Sequence, residues 1–291
     1  MDAFLPSPLV PRPCIRASTH PRSQPVIAYL LCAGFGTRMQ PLTDETPKSL
    51  LPVNGRPLLD HLLTELRDWR ALDAVHVAVN HRDAAVFRDW ADNWHAPLGE
   101  DDVTLTIHDD GVASTDEQLG ALGDLQFLLD ETGLPDDGAL VSGGDSLYRF
   151  PLAPILNAFA GSDNQVLALH EPDVEQRRQS SILQLDGRRV TGLVEDPADA
   201  DTTRICPSFH LLTPAALAYV GSYLDSGRDA DTLGTFLHAL SRWQIVQAVR
   251  LPEHPHLRLH CNTPDDLDRA RTLLEDEPLR LLDADTVEAC L

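Results

Sequence analysis

Val26-Ile27-Ala28-Tyr29-Leu30-Leu31-Cys32-Ala33-Gly34-Phe35-Gly36-Thr37-Arg38 joins six apolar residues to a glycine-rich turn that ends on a cation. An unbroken apolar run of this length fits a strand buried on both faces, as in a parallel sheet covered by helices. Two glycines at i and i+2 let backbone N–H groups approach an anion closely, and such turns form anion-binding nests. A tight structural turn would serve the same two glycines. The dinucleotide fingerprint G-x-G-x-x-G fails, because Met39 stands at the third glycine, and a phosphate loop ending G-K-[ST] is absent.

Outward from this stretch, strand and helix patterns alternate. Pro57 to Trp69 is amphipathic, with Leu58, Leu59, Leu62, Leu63 and Leu66 on one face; 74–79 reads as a strand, 84–94 as a helix and 103–107 as a strand. Residues 125–130 continue a helix, 139–141 form a strand running into Ser142-Gly143-Gly144-Asp145, and 165–169 form another. Repeated units of this kind predict an α/β fold with a doubly wound, mostly parallel sheet. Beyond residue 180 the pattern predicts a small β-rich lid (181–185, 189–194 and 205–212), then helices at 214–225, 231–241 and 264–274. We expect one domain over 26–275. It would be preceded by a disordered extension (1–25, with six prolines) and followed by a peripheral acidic tail (276–291).

Lys48 is the single lysine among 23 basic residues; every other one is arginine. An ammonium is a compact, strongly hydrated point charge, and a guanidinium does not replace it where such a charge must reach a phosphate. Lys48 follows Pro47, ten residues after Arg38, so two cations attend the glycine turn. Asp145 ends a predicted parallel strand, where open α/β sheets bind their ligands, and its carboxylate suits a hard divalent cation. A turn-capping aspartate would look the same.

Gly34-x-Gly36-Thr37-Arg38-Met39-x-Pro41-Leu42-Thr43, then Pro47-Lys48-x-Leu50-x-Pro52-Val53-x-Gly55-x-Pro57-Leu58-Leu59-Asp60, resembles the signature of the sugar-phosphate nucleotidyltransferases, the NDP-sugar pyrophosphorylases. The match is dense over 30–62. The resemblance implies a Rossmann-like nucleotidyltransferase fold and transfer of a nucleotidyl group from a nucleoside triphosphate to a sugar 1-phosphate. It implies nucleotide contacts from Leu31, Ala33, Gly34, Gly36 and Thr37, with Arg38 facing the leaving pyrophosphate and Lys48 at the reacting phosphates. Asp145 would hold Mg²⁺, and Gly144 would border the substrate. Leu119-Gly120-Ala121-Leu122-Gly123-Asp124-Leu125 is similar to the segment beneath the nucleobase, so Gly120 and Gln118 are candidate base contacts; a close-packed helix start is the plainer account of it.

Two later matches depart from the family. In His260-Cys261-Asn262-Thr263-Pro264-Asp265-Asp266-Leu267, His260 stands where a second metal-binding carboxylate is usual. Asn262 becomes the candidate metal ligand, with a plain helix cap at Asn262 or Thr263 as the alternative. Val194-Glu195-Asp196-Pro197 keeps the glutamate expected at sugar hydroxyls, but Asp196 replaces a lysine near the sugar phosphate. Glu195 stays a candidate, and Arg177, Arg178 or Arg204 would have to rebuild the phosphate side. This departure motivates two alternatives: cytidylyl transfer to a non-sugar phosphate such as phosphocholine, or nucleotide binding without turnover.

The 45 acidic residues against 23 basic ones give a formal net charge of −22 at pH 7. Nucleic acids and anionic membranes both demand a cationic face, so neither is an expected partner. No apolar run approaches a membrane span. Five scattered cysteines without C-x-x-C suggest neither a disulfide framework nor a zinc site. A cytoplasmic setting is expected, and homo-oligomer formation is left open.

Overall fold

The computed structural model describes residues 26–195 and 202–291. In chain order the first half runs β1 (Val26–Leu31), β2 (Pro52–Val53), β3 (Arg56–Pro57), α1 (Leu58–Leu66), β4 (Leu72–Val79), α2 (Ala84–Gly99), β5 (Thr104–Asp109), α3 (Gly120–Thr132), β6 (Ala139–Gly143), β7 (Ser146–Tyr148) and α4 (Ala153–Ala158). The second half runs β8 (Asn164–His170), α5 (Val174–Arg178), β9 (Ser181–Asp186), β10 (Arg189–Val194), β11 (Arg204–Cys206), β12 (Phe209–Leu212), α6 (Pro214–Asp225), α7 (Leu233–Ser241), β13 (Val246–Arg250), β14 (Arg258–His260), α8 (Pro264–Asp276) and α9 (Ala284–Glu288).

Ten strands make one sheet in the order β11-β9-β10-β13-β8-β12-β6-β1-β4-β5. Strand pleating explains the unbroken apolar run of β1. Val26, Ala28 and Leu30 enter a core that also takes Leu59, Leu63 and Phe87 from α1 and α2. Tyr29 enters the opposite core with Leu122, Leu125 and Leu128 of α3 and Phe236 and Leu237 of α7. Both faces are buried, so both sets of alternating residues must be apolar.

The doubly wound α/β expectation holds where β5, β4, β1 and β6 lie side by side, all parallel. The sheet as a whole is mixed rather than mostly parallel. β12 lies antiparallel between β6 and β8, while β9, β10 and β11 extend the same sheet with antiparallel pairings. The predicted lid strands are therefore continuous with the main sheet. The run expected over 205–212 is broken at Pro207-Ser208, where proline has no N–H for a ladder. Its first part pairs with β8 at Ile205 and its second at His210, so one bent path runs along β8 and switches its outer neighbour from β9 to β6.

The segment 276–291 is not a peripheral tail. Val287 of α9 is fully buried and joins the α1–α2 core, with Leu281, Leu282 and Leu291 packed against it. Fully buried Arg149 pairs with Glu277 at 2.8 Å and donates to the Pro278 carbonyl at 2.7 Å. Acidic composition hid this, because the four apolar anchors are spaced among charges. The expected extension 1–25 lies outside the described residues. No helix among the described residues is long and apolar enough to cross a membrane.

Candidate active site

β1 and β6 are parallel neighbours, with Leu31 beside Gly143, so their carboxyl ends point the same way. Above them opens a cavity of about 520 Å³ lined by Leu31, Ala33, Gly34, Arg38, Lys48, Gln118, Gly120, Gly144 and Asp145. Nine predicted site residues, gathered from four separate stretches, thus share one wall. This is the crevice outside the strand ends that open α/β sheets offer to ligands.

The glycine turn is held from below. Thr43 Oγ1 donates to the Gly36 carbonyl at 2.8 Å, and buried Asn80 donates to the Ala33 carbonyl at 3.0 Å. Arg82 donates to the Phe35 carbonyl at 3.2 Å and lies over the Phe35 ring. Gly36 has φ +64°, and a Cβ there would meet Thr43 and Lys48. Around Gly34 there is open space where a Cβ would be, so its backbone faces the cavity bare. Gly36 and Thr37 shape the turn without lining the cavity, and Arg38 is solvent-exposed with no acidic partner among the described residues.

Lys48 begins a single 3₁₀ turn, Lys48–Leu50. Its Nζ donates to Asp145 Oδ2 at 2.8 Å and to Asn262 Oδ1 at 3.4 Å. β14 pairs with β7 (His260 opposite Ser146), and Cys261 N–H donates to the Asp145 carbonyl at 3.0 Å, which clamps the late motif to the strand-end aspartate. His260 Nε2 lies 3.3 Å from Asp145 Oδ2. Burial alone would push the Asp145 carboxyl up; Lys48, His260 and Arg258 outweigh it and hold it well below the usual carboxylate range. Burial, then the charge on Arg258, lowers the His260 imidazole, against the pull of Asp145.

Thr263, not Asn262, caps α8, and Asp266 completes a capping box. That leaves the Asn262 amide oxygen directed at Lys48. Among the described residues no three His, Cys, Asp or Glu side chains gather as a metal cage. Two oxygens, from Asp145 and Asn262, nevertheless converge on a cation. Magnesium commonly takes one or two protein oxygens and completes its shell with water and substrate phosphates, so this pair fits it.

Gly144 carries a packing constraint: a Cβ there would lie 2.5 Å from Cys32 Sγ and 2.7 Å from Ser49 Oγ. Gly120, with φ +76°, would bring a Cβ to 2.6 Å from the Ala230 carbonyl oxygen. That carbonyl accepts from Leu122 N–H at 2.8 Å, so Gly120 lets the 230–232 segment close over the start of α3.

Glu195 does not join the group. It accepts from Ser181 Oγ at 2.7 Å at the end of β10, outside the cavity lining. Asp196 and Pro197 lie outside the described residues. The three arginines offered as substitutes are engaged elsewhere: Arg177 with the Glu171 and Pro172 carbonyls, Arg178 with Glu175, and Arg204 with the Leu251 carbonyl and Glu253.

Six further polar residues line the cavity: Ser49, Asp110, Asp124, Ser208, Asp231 and Thr232. Asp110 follows a parallel strand, the signal that drew attention to Asp145. Asp124 is a charge on the apolar stripe of α3, between Leu122 and Leu125.

The nucleotidyl transferase family model matches residues 27–248, and the chain belongs to that family. It is a nucleotidyltransferase. The UTP–glucose-1-phosphate uridylyltransferase of Haloferax volcanii is 25% identical over 254 residues, which cover 86% of this chain and 97% of that one. Among solved structures, a UDP-glucose pyrophosphorylase bound to UDP-glucose superposes with a TM-score of 0.69 at 15% identity, covering 87% of this chain and 99% of that one. The CTP:phosphocholine cytidylyltransferase of Streptococcus pneumoniae superposes with a TM-score of 0.62 at 17% identity, covering 86% and 99%. At such identities the two structures speak to the fold alone.

Proposed function

We propose that this enzyme transfers the nucleotidyl group of a nucleoside triphosphate to a sugar 1-phosphate, releasing pyrophosphate. The observation that carries the reading is the position of the chain's one lysine, bonded to Asp145 and Asn262 at the wall of the cavity beside the bare Gly34 backbone. A sugar 1-phosphate is already an anion near neutral pH, since the second pKa of a phosphomonoester is about 6. Its oxygen needs no strong base. It needs alignment with the α-phosphorus and neutralisation of the charge that gathers as the bond to pyrophosphate breaks.

Arg38, exposed and with no acidic partner among the described residues, is suited to the leaving pyrophosphate. Lys48 is suited to the two phosphates that meet, trading Asp145 for phosphate oxygens. The glycine turn would donate N–H groups to the triphosphate. Asp145 and Asn262 would hold Mg²⁺, which supplies positive charge to phosphate oxygens when bound. His260 would keep Asp145 oriented. Leu31, Ala33, Gly144, Gly120 and Gln118 would border the nucleotide. A cytoplasmic setting accords with the four described cysteines all being free.

The position of Glu195 favours a second reading. With that carboxylate outside the cavity lining, the one residue expected at sugar hydroxyls is absent from it, and a phosphorylated alcohol such as phosphocholine with CTP would meet the same phosphate machinery. Pyrophosphate release with Mg²⁺ across five triphosphates, a panel of sugar 1-phosphates and phosphocholine separates the two. Dependence on one sugar 1-phosphate supports the first reading, dependence on phosphocholine the second. Triphosphate binding without release from any pair would make the chain a non-catalytic nucleotide binder.

A further inference from the structure

We propose that Gln176, on the short helix α5, is a positioning residue for the reaction: through Asp266 it fixes the turn that aims the Asn262 amide oxygen at Lys48. This rests on the nucleotidyl-transfer reading, in which Lys48 serves the reacting phosphates.

Among the described residues the Asn262 side chain has one hydrogen bond, received from Lys48 Nζ at 3.4 Å. A bond of that length is weak, so the backbone of Asn262 must set where its amide stands. That backbone is anchored by a carboxylate. Asp266 Oδ2 accepts from Asn262 N–H at 3.3 Å, Thr263 N–H at 2.9 Å and Thr263 Oγ1 at 2.8 Å. Wherever Asp266 sits, residues 262 and 263 follow.

Asp266 is 9% exposed, and its other oxygen is the remaining handle on it. Oδ1 accepts from Gln176 Nε2 at 2.8 Å, across 90 positions of sequence. A hydrogen bond to an ionised acceptor is about twice as strong as a neutral one. The capping box of α8 is complete within 263–266, so the Gln176 bond is separate from the cap. It fixes where the cap stands relative to β8 and β9.

Gln176 is itself held. Asp173 caps α5 by accepting from the Glu175 and Gln176 N–H groups. Buried Ser180 donates to the Gln176 carbonyl at 2.9 Å, and Arg177 ties the same turn to the Glu171 and Pro172 carbonyls. The other polar link from this turn to α8 pairs Arg269 with Asp173 at 3.7 Å, both side chains exposed. Exposed pairs of that kind contribute little. Half-buried Gln176 is the link with the geometry to carry position.

The test is a double-variant cycle on steady-state pyrophosphate release, with Mg²⁺ and the triphosphate–acceptor pair that the panel selects. Gln176→Leu keeps the bulk and removes the donor. It should lower kcat about fivefold with the triphosphate KM within about twofold of the parent, the lower end of what supporting residues cost. Combined with Asn262→Ala, it should lose no more than Asn262→Ala alone, because residues that act through one another do not add. Gln176→Ala supplies the same cycle should the leucine variant misfold. A double variant whose loss equals the product of the two single losses, or a folded Gln176→Leu with parental kcat, would overturn the inference. No release by the parent with any pair would remove the nucleotidyl-transfer reading itself, and this inference with it.

Discussion

Two regions of the cavity lining, the 3₁₀ turn at Lys48 with the strand-end Asp145 and the helix α3 with Asp124, treat charge in opposite ways. In the first, each half-buried charge is answered: Lys48 by Asp145 and Asn262, and Asp145 in addition by His260. On α3, Asp124 is 7% exposed with no hydrogen-bond donor among the described residues, and burial drives its pKa to about 7. The first arrangement is a preorganised electrostatic device that holds its geometry before substrate arrives. The second is a carboxyl whose ionisation burial and the Asp110 charge make costly.

The largest expected effect breaks the answered region. Lys48→Ala should lower turnover by about 10²-fold or more, the scale of losing a placed charge at a transition state. Lys48→Arg should recover little, because a planar fork does not substitute for a compact ammonium. Near-normal pyrophosphate release from folded Lys48→Ala would remove the residue from its proposed role.

On α3 the sign reverses, and a substitution should stabilise. A carboxyl raised in the folded state binds a proton that the unfolded chain has released between about pH 4 and pH 7, so its contribution to stability falls as pH rises through that window. Above it the cost is on the order of 4 kcal/mol for a group moved from 3.8 to about 7. Asp124→Asn should therefore melt several degrees higher than the parent at about pH 8 and at nearly the same temperature at about pH 4.5. A variant less stable than the parent at both pH values would show that the carboxylate has a structural partner.

Smaller is the effect of Asn262→Ala, which leaves the Lys48–Asp145 pair intact. About tenfold loss in turnover, recovered in part by excess Mg²⁺, would mark its oxygen as a metal ligand. A loss indifferent to metal concentration would assign it to Lys48 alone. The smallest effect is global. At a net charge of −22, self-repulsion should be screened by salt, with the melting temperature rising a few degrees between low salt and about 1 M KCl. A flat profile would mean that the acidic surface is already balanced locally.

Much of the site could be read because its residues are punctuated by backbone chemistry. Gly34, Gly36 and Gly144-Asp145 mark turns that follow strands and Pro47-Lys48 opens a 3₁₀ turn, and turns advertise themselves in residue type. Asp110 and Asp124 passed unassigned because an isolated aspartate has many ordinary uses. Glu195 was read from a short local match, yet β10 delivers it to Ser181, away from the cavity lining. Residues 276–291 misled by composition, since apolar anchors such as Leu281 and Val287 are diluted by acids in a way that suggests solvent.

The chain's local chemistry determined the alternating strands and helices, the glycine turn, the single ammonium and the strand-end carboxylate. These depend on periodicity, backbone freedom and charge within a few residues of one another. Tertiary structure alone decided that Asn262 meets Lys48 across 214 positions, that Gly120 yields to Ala230, that β12 threads between β6 and β8, and that Asp124 lines the cavity. Each follows from packing distant segments against one sheet, where burial sets the strength of every charge and no local pattern records which neighbours a side chain will have.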